Sequence, residues 1–159
     1  MDSRFIHFGG DHFYPEKFQP IKNYETSFVK PHGGLWASPL STNDWAEYCK
    51  YNMMNNKLWN GWFTFHLKDH SQVLQITNQK QLDDAYNEFR NYNRISHTSK
   101  ADLYFFDYEK MQRYYDAMYV EIFGSIEGGI GRGTYWSLYG FDITTLLVFN
   151  PDIIIEDTD

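Results

Sequence analysis

Three short runs, far apart in the chain, set the limits on how it can fold. They are Arg4-Phe5-Ile6-His7-Phe8-Gly9 near the start, Gly33-Gly34-Leu35-Trp36-Ala37-Ser38 after a loop, and Leu146 to Ile154 at the end. Each reads as a strand that carries a polar or aromatic group at a fixed place. Between them, strands are dispersed among short helices with no regular strand–helix alternation. That pattern indicates an α+β domain with a mainly antiparallel or mixed sheet and short peripheral helices.

Asp11 to Lys30 carries Pro15, Pro20 and aromatics without a period, and reads as loop or short turns. Ser41 to Asp44 offers N-cap residues for a helix from about Asp44 to Asn52. Leu58 to Leu67 reads as a strand with aromatic alternation, and Gln72 to Thr77 as another. From Asn78, Gln81, Leu82, Ala85, Tyr86 and Phe89 recur at three- and four-residue spacing, which predicts a helix. A second helix is expected over Asp107 to Tyr115 and a strand over Ala117 to Phe123. Gly124 to Gly133 contains five glycines and reads as a loop, and Thr134 to Tyr139 is ambiguous. Thr145 to Asn150 reads as a buried strand, with Ile153 to Ile155 either extending it or forming a neighbour.

At 159 residues the chain suits one domain spanning 1–159, which buries roughly 70% of its unfolded surface and needs no metal or disulfide staple. Its aromatic content of 19% exceeds what such a core needs, so some rings are expected to line a groove or partner face. The net charge of −7 disfavours sequence-independent nucleic-acid binding and leaves room for a basic protein partner or a local cationic pocket. The single cysteine, Cys49, allows no internal disulfide and reads as an inert helix residue. No apolar run approaches the ~20 residues of a membrane span, and the N-terminus lacks a signal-peptide apolar region. A cytoplasmic protein is the expectation.

Phe5-Ile6-His7-Phe8-Gly9 with Phe18-Gln19-Pro20-Ile21 resembles the opening of the diphtheria-toxin-like branch of NAD-dependent ADP-ribosyltransferases, which includes the rifampicin-modifying transferases. Gly34 to Ser38, followed by Asn43 to Tyr48, resembles that family's second strand and succeeding helix. Phe65 to Thr77, Tyr115-Asp116-Ala117-Met118-Tyr119-Val120 and Val148 to Ile153 resemble its later strands. The likeness spans nearly the whole chain as an ordered set of weak motifs. It implies an ADP-ribosyltransferase-like split sheet with NAD as co-substrate, in a cleft between the first two strands and the last. By the same resemblance, His7 bonds a ribose hydroxyl and the Gly9 backbone helps hold the nicotinamide amide. Trp36 stacks on nicotinamide, while Ser38 and Thr145 supply hydroxyls.

One departure is plain. In the family a Glu usually stands at the start of the final strand, where its carboxylate offsets the oxocarbenium-like charge as nicotinamide leaves. Thr145 occupies that place, with Asp142 the nearest upstream carboxylate and Glu121 in the preceding strand. Asp142, or less readily Glu121, is the expected catalytic carboxylate. The other possibilities are phosphotransferase-like chemistry that needs no Glu, and a site turned into a binding pocket.

Other constellations carry less. His66 and His70 have a four-residue spacing, but strand and turn residues surround them and no further ligands follow, so no metal is expected. Gly128 to Gly133 lacks the helix start and Lys-Ser/Thr pair of a phosphate loop, though Arg132 within it is a candidate for a pyrophosphate or a partner. No nucleophile elbow is present. Tyr86 to Arg94 reads as a solvated helix face. The expected activity is ADP-ribose transfer from NAD to a macromolecular acceptor, protein rather than nucleic acid, away from the membrane. The alternative is a non-catalytic acidic binding or inhibitor protein on the same scaffold, docking on a basic partner.

Overall fold

The computed structural model describes residues 3–23, 30–97, 102–121, 138 and 141–158. Among the described residues, nine strands and three α-helices follow in the order β1 (Phe5–Phe8), β2 (Leu35–Pro39), α1 (Asp44–Tyr51), β3 (Trp62–Leu67), β4 (Val73–Ile76), α2 (Gln79–Phe89), β5 (Arg90–His97), β6 (Asp102–Phe106), α3 (Tyr108–Met111), β7 (Ala117–Val120), β8 (Thr145–Val148) and β9 (Ile154–Glu156). Seven strands form one mixed sheet in the order β4-β7-β8-β2-β1-β3-β9, and β5 and β6 form a separate pair. Among the described strands, only β4 and β7 pair in parallel. The others pair antiparallel.

The period-2 alternation of β7 and β8 divides the core between the two faces of the sheet. Met118, Val120 and Leu147 pack with Leu82, Ala85 and Phe89 of α2 and with Tyr108 and Met111 of α3. Ala117, Tyr119, Leu146 and Val148 point the other way, toward Phe5, Phe63, Phe65 and Ile153. The apolar spacing read in α2 is its buried stripe, and Asn78 caps it by accepting a hydrogen bond from the Gln81 N–H at 3.0 Å. At α1 the cap residue is Asn43, in the left-handed region at φ 52°, with no side-chain cap.

Gly33 and Gly34, at φ 73° and 68°, lead into β2. A Cβ on Gly34 would lie 2.7 Å from Leu147 and 2.9 Å from the Val148 carbonyl, so only glycine lets the chain pass this close to β8. Asp116 locks the far end of the sheet. Its carboxylate accepts from the Gln72 N–H at 2.8 Å and from the Asn150 side chain at 2.9 Å. The Tyr115-Asp116 and Asn150-Pro151 motifs therefore meet as a structural joint.

Several expectations need correction. Tyr86 to Arg94 is not one helix face: α2 ends at Phe89, and Arg90 begins β5. The helix expected to reach Tyr115 is a single turn. The strand expected from Leu58 starts at Trp62, because Asn55–Leu58 forms a 3-10 turn and Gly61 takes φ 82°. Ile154–Glu156 neighbours β3, at the opposite side of the sheet from β7. Gly124 to Gly133 and Thr134 to Tyr139 lie outside the described residues, Leu138 excepted.

Candidate active site

The β1–β2 ladder is only two residue pairs long, Phe5 with Pro39 and Ile6 with Ser38. Beyond it the strands no longer pair, and a cavity of about 330 Å³ opens, within the usual range for ligand pockets. Ile6, His7 and Phe8 of β1 line it with Trp36, Ala37 and Ser38 of β2, Trp45 of α1, Lys30, Asp142, Ile143 and Thr145. A second cavity of about 530 Å³ adjoins it, sharing His7 and Trp36 and lined also by Gly9, Gly10, Lys17 and Gly33.

His7 spans the gap where pairing stops. Its Nδ1–H donates to the Trp36 carbonyl at 2.7 Å, which leaves Nε2 as an acceptor in the neutral ring. Burial lowers its pKa and outweighs the opposing effect of that hydrogen bond. The imidazole is therefore a neutral acceptor suited to a ligand hydroxyl. Gly9 lies against Nε2, and its own N–H is taken by the Gly61 carbonyl at 3.0 Å. Only the Gly9 carbonyl remains for a ligand amide.

Trp36 is half-buried and held in place. Its Nε1–H donates to the Gly33 carbonyl at 3.3 Å, and Phe141 packs against it with 5.2 Å between ring centroids. The Lys30 ammonium lies 5.0 Å from the centroid of the same indole. Ser38 is 1% exposed, and its Oγ has no hydrogen-bond partner, an uncommon state for a buried hydroxyl. Thr145 Oγ1 donates to the Ile143 carbonyl at 2.9 Å and keeps acceptor capacity.

Asp142 is exposed at the cavity, facing two groups that sequence reasoning missed. Burial raises the pKa of Tyr48, and the charge of Asp142 and the hydrogen bond the phenol donates to it raise it further. Burial lowers the pKa of Lys30, while the Asp142 charge opposes that shift. Trp45 and Tyr48 stack at 5.6 Å, as their i, i+3 spacing on α1 allows. That spacing was a usable signal for a helix face turned toward the site. Lys30, set in an aperiodic loop, offered none.

Of the expected residues, then, His7, Trp36, Ser38, Asp142 and Thr145 share one cavity, and Gly9 lines the adjoining one. Glu121 is exposed just beyond β7 and lines neither. Arg132 lies outside the described residues.

Elsewhere, His66 on β3 bonds the Asp157 carboxylate at 2.9 Å, and His70 sits in a turn at φ 68°, so the two imidazoles share no helix. No group of three or more His, Cys, Asp or Glu side chains placed to hold a metal occurs among the described residues. Cys49 is buried, and that burial raises its thiol pKa, which suits an unreactive residue. No helix among the described residues is long and apolar enough to cross a membrane. No family model matches the chain, and no curated protein or solved structure shows significant similarity to it.

Proposed function

We propose that this protein is an NAD-dependent ADP-ribosyltransferase, built on an ADP-ribosyltransferase-like split sheet and acting on a macromolecular acceptor in the cytoplasm. The observation that carries the reading is the gathering of His7, Trp36, Ser38, Asp142 and Thr145, from three separate strands and a loop, around one cavity. The short β1–β2 ladder supports it by supplying the opening between the strands.

In this mechanism His7 Nε2 accepts from a ribose hydroxyl, and Trp36 stacks on the electron-poor nicotinamide ring. Ser38 Oγ gains the partner it lacks in the free protein. The bond between ribose C1′ and the nicotinamide nitrogen breaks with its electron pair leaving on nicotinamide. The Asp142 carboxylate offsets the positive charge that develops at C1′. An acceptor nucleophile then bonds to C1′ and releases its proton to solvent. Asp142 is favoured over Glu121 because it alone of the two lines the cavity.

The test is incubation of labelled NAD with a cell lysate, using wild type, His7→Ala and Asp142→Asn. Label transferred by wild type and reduced at least about a hundredfold in Asp142→Asn fits the loss of a charge-stabilising group. No transfer by folded wild type overturns the reading.

A second reading, a non-catalytic binding protein, is favoured by one specific observation. Tyr51, Met53, Trp59 and Trp62 are all more than half exposed within one short segment. Large apolar side chains exposed so close together mark an interaction face. In that case a pull-down loses its partner in Trp59→Ala, while NAD leaves tryptophan fluorescence unchanged.

A further inference from the structure

Lys30 lines the cavity, and the transferase reading as stated gives it no role. Its ammonium sits over the Trp36 indole at 5.0 Å, a distance at which the ring quadrupole attracts a cation. Asp142 is the carboxylate whose charge acts on it. The indole assigned to an oxidised nicotinamide ring thus already carries a group of the same charge. Two cations on one indole face repel each other in a partly desolvated cavity. The lysine stem is flexible enough for its ammonium to move away without a change in the backbone.

We propose that Lys30 is an exchangeable occupant of the Trp36 face, which yields that face to a cationic aromatic ring and takes up a phosphate oxygen of the same ligand. This inference rests on the NAD reading and sharpens it. The cavity selects molecules that carry a cationic ring and a phosphate together, because only these offer Lys30 a new partner when it is displaced. The exchange also draws the ammonium away from Asp142. The carboxylate is then less neutralised at the moment positive charge develops on C1′.

The experiment compares wild type with Lys30→Met, which keeps the stem and removes the charge, after thermal melting has established that both are folded. Binding of three probes is measured by calorimetry: NAD, ADP-ribose with phosphates but no ring cation, and nicotinamide riboside with the cation but no phosphate. Lys30→Met is expected to bind ADP-ribose at least about tenfold more weakly, the loss of a charge-assisted hydrogen bond. It is expected to bind nicotinamide riboside about three- to fivefold more tightly, since the competing cation is gone. NAD falls between the two.

Opposite signs for the two partial ligands support the exchange. If wild type binds NAD but both partial ligands change in the same direction, or neither changes, the exchange is overturned and the NAD reading stands. If folded wild type binds none of the three, both fall together.

Discussion

Ser38 stands where the last β1–β2 pair gives way to the cavity, with its hydroxyl buried and unpartnered. A buried hydroxyl left unsatisfied costs about 1–3 kcal/mol, so Ser38→Ala is expected to raise the stability of the free protein by roughly 1 kcal/mol in urea denaturation. The same variant should bind NAD more weakly, an opposition of signs that a purely structural serine would not give. Asp157 behaves differently. Its carboxylate accepts from Arg4 Nε at 2.9 Å and from His66 Nδ1 at 2.9 Å, and burial opposes its ionisation. Hydrogen bonds from His66, Thr64 and Arg4 outweigh that burial and hold its pKa below the usual value of 3.8. A depressed carboxylate pKa contributes stability above the unfolded value and loses it as pH falls through the folded one. Asp157→Ala should therefore cost roughly 1–2 kcal/mol at pH 7, a figure discounted because Arg4 is half exposed, and less at a pH below 3.8. Equal costs at both pH values would show that the carboxylate charge is not what stabilises this corner.

Among the elements, β2 carries the heaviest demand, since it must lie against β8 and also present Trp36 and Ser38 to the cavity. Gly34→Ala places a Cβ at φ 68°, against Leu147 and the Val148 carbonyl. We expect it to cost at least about 1–3 kcal/mol by urea titration, with the backbone strain alone of that size. It should also weaken NAD binding, because the β2–β8 register sets Trp36 opposite Leu147. How legible each element was in sequence follows from the same physics. The apolar stripe of α2 is long enough to show its period, and β1, β2 and β8 are dense in apolar or β-branched residues. By contrast, β5 begins Arg90-Asn91-Tyr92-Asn93-Arg94, a polar run that pairs among the described residues with β6 alone, and nothing local distinguishes it from a continuing helix. α3 stops at Met111, short of the Tyr115 expected for it. The chain turns there to reach Asp116, which is needed at the joint with Gln72 and Asn150. At the site, His7, Trp36, Ser38 and Thr145 were named from the resemblance of their strands to a known family, and they line one cavity. Lys30 was not, since a loop residue owes its place to the fold around it.

Across the molecule, β9 caps β3 at one edge of the seven-stranded sheet. Removing residues 154–159 would bare the β3 backbone and release the Arg4 and His66 contacts to Asp157. The shortened chain is expected to aggregate at concentrations where the full chain stays monodisperse, as light scattering would report, because an unpaired edge recruits other strands. A truncated chain that scatters no more than the full one would show that the edge is protected in some other way. Net charge of −7 aids colloidal stability in the full chain, but charge repulsion does not satisfy an open ladder. The order of the central strands has a consequence for biosynthesis. β2 cannot complete its pairing, nor the cavity its wall, until β8 has left the ribosome, because Trp36 pairs with Leu147 and Thr145 lines the same space as His7. Contacts so distant in sequence form late and slowly. A nascent chain halted between Trp36 and Thr145 holds His7 and Trp36 but no finished pocket, so the cavity gains its last wall only once β8 has emerged.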